Sequence, residues 1–318
     1  MDLINKILRN ARFLKNLYRN KGAIRTLLES GNIGFIKFAS PGHFYSPIPD
    51  FHKIDSKAEH IFDRSEKDIS AININENSQI QLANNFSSLY AEMPFPESKS
   101  DKSRYFLDNP YFSYGDGIIL YSFLRHFSPA RIIEVGSGFS SAAMLDVSDL
   151  FLHKKVEFTF IEPFPDRLFS LLSEEDKKKV KVEIKPVQEV ESNLFGLLEA
   201  NDILFIDSSH VAKINSDVLH ILFYILPQLK KGVIIHFHDI LWPFEYPKNW
   251  LEEGRAWNEA YILRAFLQYN SAFEILYFNS YMALHHADFL EKSMHSILKT
   301  PSSKVTPGNT SLWIRKVR

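Results

Sequence analysis

One short apolar run in the sequence leads directly into a glycine-rich turn. The run Arg131–Val135 contains Glu134, Gly136 and Gly138 follow it, and a helical pattern starts at residue 139. A buried parallel strand that passes through a glycine turn into a helix brings backbone N–H groups and a positive helix end to one point. This geometry binds nucleotide-like ligands. A buried carboxylate at Glu134 is costly unless it organises the N–H groups of the turn or meets a cationic ligand.

A second acidic residue stands where a ribose would need one. Glu162 ends the next β-like run and lies 24 residues after Gly138, so it is placed to accept both hydroxyls of a ribose. The dinucleotide fingerprint has a third glycine, and here that position is Ser141. Ser141, together with Glu134 before the first glycine, argues against a nicotinamide-dependent oxidoreductase, which stays an alternative.

Alternating strand and helix patterns position these residues. Strands are predicted at 131–135, 156–161, 180–186, 202–206 and 232–237. Helices are predicted at 139–150, 165–173, 192–199 and 213–228. This alternation predicts right-handed crossovers and a parallel sheet, with ligands bound at the carboxyl ends of the strands.

The last third of the chain predicts an antiparallel strand pair at one sheet edge. A helix at Gly254–Tyr269 precedes the strand Ala272–Phe278, and the alternating run Ser311–Val317 closes the chain. An insertion at about 280–308 carries a predicted helix, Ala287–Lys299.

We predict two regions, an N-terminal extension over 1–105 and a ligand-binding domain over 106–318. The extension contains a basic amphipathic helix, a Pro-rich turn and a helical cap. Residues 1–30 carry seven Lys or Arg against Asp2 and Glu29. Such a helix lies on an anionic membrane or docks on a partner, or it packs on the protein itself.

Composition limits the classes of function. The 318 residues have a formal net charge of −1 and no cysteine, which excludes disulfides and thiolate chemistry. No basic stripe or Asn-Pro-Pro-Tyr-like motif indicates a nucleic-acid partner. No apolar run reaches the roughly 20 residues of a membrane span, and the N-terminus lacks the apolar core of a signal peptide. We expect a cytoplasmic protein, with peripheral membrane contact as the alternative; the oligomeric state stays open.

The glycine turn and the glutamate at the end of the next strand resemble the class I S-adenosylmethionine-dependent methyltransferases. The segments Asp202–His210 and Lys231–Asp239 resemble a branch with Ile-Asp-x-x-His and His-Asp strand ends. That branch includes many O-methyltransferases of small molecules and sugars, some of which require a divalent metal. The resemblance covers about residues 110–277 and the final strand. It implies an α/β, Rossmann-like sheet of seven strands in the order 3-2-1-4-5-7-6, with the last strand antiparallel.

The resemblance also implies a set of residues that hold S-adenosylmethionine. They are Glu134, Gly136, Ser137, Gly138, Glu162, Gln188, Asp207 and Tyr114. The turn would contact the methionine portion, Glu162 the ribose and Gln188 the adenine. Asp207 lies where the sulfonium and the acceptor would meet. Tyr114, with Asp116, would help to hold the ammonium or carboxylate of the cofactor.

The same resemblance places the catalytic residues at His238, His210 and Asp207. Methyl transfer requires an aligned acceptor oxygen and removal of its proton, for which a histidine is suited. Alternatively, Asp207, His238 and Asp239 hold a divalent cation such as Mg²⁺ that acidifies the hydroxyl. Metal-dependent members tend to present two adjacent carboxylates after strand five, whereas this chain has His238 and Asp239. A third alternative gives His236 and His238 structural hydrogen bonds only.

The expected acceptor is a hydroxyl of a small molecule or a glycan. The aromatic loop Trp242–Trp250 either stacks on that acceptor or seals the top of the sheet. Arg255 either faces an anionic group of the substrate or pairs with Glu252 or Glu259. A methyltransferase-fold binding or scaffold protein without catalytic activity is the main rival function.

Overall fold

The structure, a computed structural model, describes residues 38–39, 41–152, 156–303 and 308–318. The chain divides into two compact units, Met1–Ile61 and Phe62–Arg318. The predicted basic helix of residues 1–30 lies outside the described residues. The described part of the first unit has two short helices, α1 (Phe51–Asp55) and α2 (Ala58–Ile61). The Asp50 carboxylate accepts a hydrogen bond from the His52 N–H and so caps α1.

The second unit is built on a seven-stranded sheet in the order β3-β2-β1-β4-β5-β7-β6. Its strands are β1 (Arg131–Val135), β2 (Glu157–Ile161), β3 (Lys181–Glu183), β4 (Ile203–Ile206), β5 (Ile234–Phe237), β6 (Phe273–Phe278) and β7 (Leu312–Lys316). Only β7 runs antiparallel to its two neighbours. The predicted fold class, strand order and orientation of the last strand are therefore confirmed.

Strand β1 lies at the centre of the sheet and brings the binding residues to one level. Val135 is aligned with Ile161 of β2 and with Ile206 of β4. The residue after each of these strands therefore emerges at the same edge of the sheet. All four residues of β4 and of β5 are buried, as expected of parallel strands covered on both faces.

Helices occur both before and after the glycine turn along the chain. They are α3 (Glu76–Tyr90), α4 (Tyr114–Phe127), α5 (Phe139–Phe151), α6 (Asp166–Leu171), α7 (Glu174–Lys179), α8 (Asp217–His220), α9 (Lys248–Glu252), α10 (Glu259–Leu267), α11 (Asn279–His285) and α12 (Ala287–Ser293). Helix α3 packs within this unit, where the Gln79 side chain accepts a hydrogen bond from the Phe278 N–H at 2.8 Å. Residues 62–105 thus belong to the same compact unit as the sheet, and the boundary between the two units in the chain follows residue 61.

Several predicted elements are shorter in the structure, for local reasons. The segment 192–199 forms only a 3-10 helix, Ser192–Leu197. The predicted helix 213–228 starts at Asp217, because Asn215 has a left-handed backbone (φ 60°), and it passes through a π turn into a 3-10 turn at Pro227. Proline lacks the N–H that an α-helix needs there. Likewise Gly254 has φ 88°, and the helix predicted from it begins at residue 259.

The aromatic loop after β5 seals the protein interior. The side chains of Trp242, Phe244, Tyr246 and Trp250 are all buried, and the Trp242 indole N–H donates to the Glu66 carbonyl at 2.7 Å. Their rings are therefore packed within the core and are not presented to an acceptor. Within the described ranges, no helix has the length and apolar character that crossing a membrane requires.

Candidate active site

The glycine turn is held between the ends of two neighbouring strands. The Gly136 N–H donates to the Ile161 carbonyl at 3.0 Å, and the Asp207 N–H donates to the Val135 carbonyl at 2.8 Å. Gly136 has φ 83°, and a Cβ atom there would overlap the carbonyl oxygen of Asp207. Only glycine allows this conformation and this close approach together. The turn and the start of the loop after β4 are therefore one packed unit.

Glu134, in the strand that precedes the turn, holds the first turn of α5 by hydrogen bonds. Its carboxyl group is fully buried and accepts hydrogen bonds from the hydroxyls of Ser140, at 2.5 Å, and Ser141. The Ser141 hydroxyl in turn accepts from the Gly138 N–H at 2.9 Å. The carboxyl group thus reaches the loop N–H through a serine, not directly as the sequence suggested. This relay also explains why serine stands where a dinucleotide site has glycine. Burial raises the pKa of Glu134 to about 8.

Glu162 lies beside the turn, at the position predicted for a ribose contact. Its carboxylate accepts from the Ser137 N–H at 3.1 Å and from the Phe164 N–H at 2.8 Å. Each carboxylate oxygen keeps a further lone pair for a ligand hydroxyl. Gln188 donates through Nε2 to the Asn215 carbonyl at 2.8 Å. Its Oε1 is buried and has no hydrogen-bond partner among the described residues, so this acceptor is open to a ligand; the adenine contact stays a prediction.

Tyr114 and Asp116 form their hydrogen bonds with residues outside the glycine turn. The Tyr114 hydroxyl donates to the Glu97 carboxylate at 3.0 Å. The buried Asp116 carboxylate accepts from the backbone N–H groups of Thr310, at 2.8 Å, and Ser311, at 2.9 Å. Asp116 thus anchors the start of β7. A cofactor contact by Tyr114 stays a prediction, and its hydroxyl would have to leave Glu97 to make one.

The polar side chains after β4 and β5 come together as one cluster. Asp207 Oδ1 lies 3.4 Å from His210 Nε2 and 3.4 Å from His238 Nδ1. Asp239 lies 3.7 Å from each of the same two imidazole nitrogens. The Asp207 side chain is 36% exposed, whereas the other three are at most 7% exposed. The cluster therefore opens to solvent at Asp207.

Glu259 is a further member of this cluster, which no sequence motif predicts. Glu259 Oε2 lies 2.8 Å from His210 Nδ1, and Glu259 Oε1 accepts from the Ser208 hydroxyl at 3.1 Å. The side chain of Glu259 is only 2% exposed. Arg255 pairs with Glu253 at 2.8 Å, and not with the predicted Glu252 or Glu259.

These carboxylates control the charge of the two histidines. Burial lowers the pKa of His210, but hydrogen bonds with Asp207 and Glu259 outweigh this effect and raise the pKa to about 10. Burial likewise opposes protonation of His238, and the charges of Asp239 and Asp207 raise its pKa well above the ordinary value. Desolvation raises the pKa of Asp207, yet the two imidazoles hold it well below its usual range. In this arrangement the imidazoles of His210 and His238 are both positively charged at neutral pH.

His236 has a structural role beneath the cluster. Its ring stacks on Phe205 with centroids 3.7 Å apart, and its Nε2 lies 2.8 Å from the Ser311 hydroxyl. Burial and the charge of His238 hold the pKa of His236 well below the ordinary value. His236 is therefore a neutral core histidine, as the structural alternative predicted. His238 turns its Nε2 toward the Thr310 hydroxyl, at 3.1 Å, and its Nδ1 toward Asp207.

Comparison with known proteins agrees with this arrangement. A family model described as "Methyltransferase domain" matches residues 133–240, from within β1 to just beyond Asp239. An uncharacterized protein of Archaeoglobus fulgidus is 33% identical over 172 residues, which are 52% of this chain and 76% of the relative. The chain belongs to the class I S-adenosylmethionine-dependent methyltransferases.

Solved methyltransferase structures are similar to this methyltransferase at low sequence identity. The SAH-bound Podospora anserina methyltransferase PaMTH1 is 14% identical, with 84% of this chain and 95% of that chain covered and a TM-score of 0.39. The O-methyltransferase TomG of Streptomyces achromogenes, in complex with SAM, is 13% identical, with coverages of 83% and 96% and a TM-score of 0.40. The Bacillus cereus O-methyltransferase in complex with SAH is 11% identical, with coverages of 84% and 97% and a TM-score of 0.40.

The residues of the methyltransferase at the turn suit its cofactor. The unpartnered Oε1 of Gln188 is the kind of acceptor that an adenine amino group needs. The half-buried carboxylate of Glu162 is already fixed by two backbone N–H groups. A ribose that binds there meets an oriented acceptor, which reduces the ordering cost of binding.

Proposed function

We propose that this methyltransferase transfers a methyl group to a hydroxyl oxygen of a small molecule or a glycan. One residue carries the proposal. The Asp207 backbone closes the glycine turn against Gly136, while its side chain is the exposed member of the polar cluster. The predicted methyl-donor site and the cluster that could hold and deprotonate an acceptor therefore share Asp207. A reaction between two bound groups requires this proximity.

S-adenosylmethionine supplies an electrophilic methyl group when it is bound. The chain's own part is to bind the donor at Gly136–Gly138, Glu162 and Gln188 and to align the acceptor near Asp207. An acceptor hydroxyl must lose its proton during transfer. His238 is the stronger candidate for the proton-accepting group, because its Nδ1 faces the exposed Asp207 and has no hydrogen-bond partner among the described residues. Without a cation, His238 can accept that proton only after it loses the one that the charges of Asp239 and Asp207 hold on it.

A divalent cation is the second part of the proposal. One ligand atom from each of Asp207, His238 and Asp239 lies within 4.8 Å of the others. His238 Nδ1 and Asp239 Oδ1 are buried without a hydrogen-bond partner among the described residues. Two carboxylates and an imidazole suit Mg²⁺ or Mn²⁺. A cation there would take the place of the proton on His238 Nδ1 and would itself acidify an acceptor hydroxyl bound beside Asp207.

Replacing Glu162 with alanine is expected to weaken S-adenosylhomocysteine binding by at least about 100-fold. The variant loses hydrogen bonds from ribose hydroxyls to a charged acceptor, each of which contributes about 1.5–3 kcal/mol. Isothermal titration calorimetry measures the effect. Glu189→Ala removes an exposed carboxylate close to Gln188 and should leave affinity unchanged. Equal affinity of Glu162→Ala and the native protein would remove the ribose assignment.

Chelation is expected to reduce methyl transfer by at least about 100-fold, and Mn²⁺ should restore it, since one carboxylate-bound cation contributes several kcal/mol to charge stabilisation. The assay screens sugar and phenolic acceptors with radiolabelled donor. Direct Mn²⁺ titration of Asp239→Asn should show lost metal binding, with donor affinity retained. Asp217→Asn is the control, because it removes the charge of a carboxylate at the start of helix α8 that, among the described residues, bonds Ser209 and the Val218 N–H. Full turnover in chelator would exclude the metal and leave His238 as the base.

The rival function, a scaffold without catalysis, requires a blocked acceptor site. The rings of the 242–250 loop are buried in the core, and Asp207 is exposed. This favours an enzyme whose acceptor site is open. Donor binding without transfer to any acceptor in the screen would favour the scaffold instead.

A further inference from the structure

One arginine beside the glycine turn has no acidic partner. Arg167, in the first turn of α6, is exposed, and no carboxylate among the described residues lies within ion-pair distance of its guanidinium. Its neighbour Asp166 and the nearby Glu162 do not pair with it. By contrast, the Arg104 guanidinium contacts three carboxylates, those of Asp146, Asp149 and Asp176. Arg167 is thus a charge without a counter-charge at the edge of the predicted donor site.

The side chain of Arg167 is nevertheless held in one place. Its Cδ atom lies 3.2 Å from the position that a Cβ atom of Gly138 would occupy, so its stem crosses the second glycine of the turn. Its guanidinium lies over the Tyr111 ring, 3.9 Å from the ring centroid. Tyr111 in turn packs on Phe139, the first residue of α5, with centroids 5.9 Å apart.

This position is suited to an anion. The N-terminal end of α5, a helix of 13 residues, carries a partial positive charge and N–H groups without helical partners. A guanidinium next to it adds a second positive group. An anion that binds between them would satisfy both, and a guanidinium fork matches a carboxylate with two parallel hydrogen bonds.

We propose that Arg167 is a cofactor-binding residue that recognises the carboxylate of the donor's amino-acid moiety, with Tyr111 holding the guanidinium in place. The inference rests on the proposed donor site at Gly136–Gly138. The amino-acid end of the donor carries a carboxylate and, by that assignment, lies at the turn that Arg167 crosses. Among the described residues, Arg167 is the only side chain within 4 Å of the position that a Cβ atom of Gly138 would occupy.

The test compares two ligands that differ in one group. S-adenosylhomocysteine has the carboxylate, and its decarboxylated analogue keeps the ammonium, thioether and adenosine. We expect the native protein to bind S-adenosylhomocysteine about 10- to 100-fold more tightly, as one charge-assisted contact provides. Arg167→Met should remove this preference by weakening S-adenosylhomocysteine alone. Arg167→Lys should keep part of it, because lysine retains the charge but not the planar fork.

Controls separate this inference from the proposed function. Arg264→Met removes an exposed arginine from helix α10 and should leave both affinities unchanged, which excludes a general effect of net charge. If Arg167→Met binds both ligands as the native protein does, or weakens both equally, the carboxylate contact is wrong. If the native protein binds neither ligand, or if Glu162→Ala binds both at native affinity, the donor site itself is wrong and the inference falls with it.

Discussion

Gly136→Ala is expected to give a protein that no longer binds S-adenosylhomocysteine and unfolds at a lower temperature. The alanine Cβ would overlap the Asp207 carbonyl oxygen, which is backbone and cannot rotate away. Either the turn or the start of the loop after β4 must move. Displacement of the turn also changes the Ser137 N–H that fixes the Glu162 carboxylate. A left-handed backbone adds about 1 kcal/mol of strain for a residue with a side chain.

Gly254 provides a matched control for this experiment. It also has a positive φ, 88°, but a Cβ atom there meets nothing within 4 Å. Gly254→Ala therefore reports the backbone strain alone, and we expect about 1 kcal/mol of destabilisation with unchanged ligand affinity. Calorimetric titration and thermal unfolding of both variants measure the difference. If Gly136→Ala binds S-adenosylhomocysteine within about threefold of the native affinity, the close approach of the two loops is not needed for binding.

The features of this protein that depend on local sequence pattern can be predicted from the sequence. The run 131–135 is short and largely apolar and is followed at once by a glycine, so the predicted strand and the observed β1 coincide. The glycine turn and Glu162 were placed correctly beside each other because parallel neighbouring strands must end at one edge. The predicted strand 180–186 ended early, at Glu183, because Ile184 is exposed and Pro186 follows it.

The parts that sequence reasoning missed depend on contacts between distant loops. Glu259 follows His210 by 49 residues, and they meet because the His210 carbonyl accepts from the backbone N–H groups of Asn258 and Glu259. The left-handed backbone of His210, φ 59°, directs its ring into the cluster. No local pattern encodes that docking. Arg167 was missed for the same reason, since an arginine in a short helix has no signal until its stem is seen against Gly138.

Glu259→Gln is expected to destabilise the protein by about 3–5 kcal/mol at neutral pH, as removal of one partner from a buried ion pair usually does. Glutamine keeps the shape and can still accept a hydrogen bond from His210 Nδ1. It lacks the negative charge that opposes the desolvation of the imidazolium. The remaining carboxylates, Asp207 and Asp239, lie farther from His210, at 3.4 and 3.7 Å.

The pH dependence of stability distinguishes this charge effect from a packing defect. The pKa of His210 is raised from 6.5 to about 10 in the folded protein. Its contribution to stability is therefore fully present below about pH 6.5 and is lost as the pH rises to about 10. In Glu259→Gln the folded pKa falls toward 6.5, so this loss becomes smaller. The free energy difference between the two proteins should shrink steadily from pH 6.5 to 10.

Urea unfolding at several pH values, in chelator, measures this difference directly. The raised pKa of Glu134, about 8, also makes stability fall with pH, but it is common to both proteins and cancels in the difference. Glu253→Gln removes the half-exposed partner of Arg255 and should change stability by at most about 1 kcal/mol at any pH. Parallel curves for Glu259→Gln and the native protein would show that Glu259 only fills space. Curves that converge toward pH 10 would show that it holds His210 as the cation facing Asp207 and Asp239.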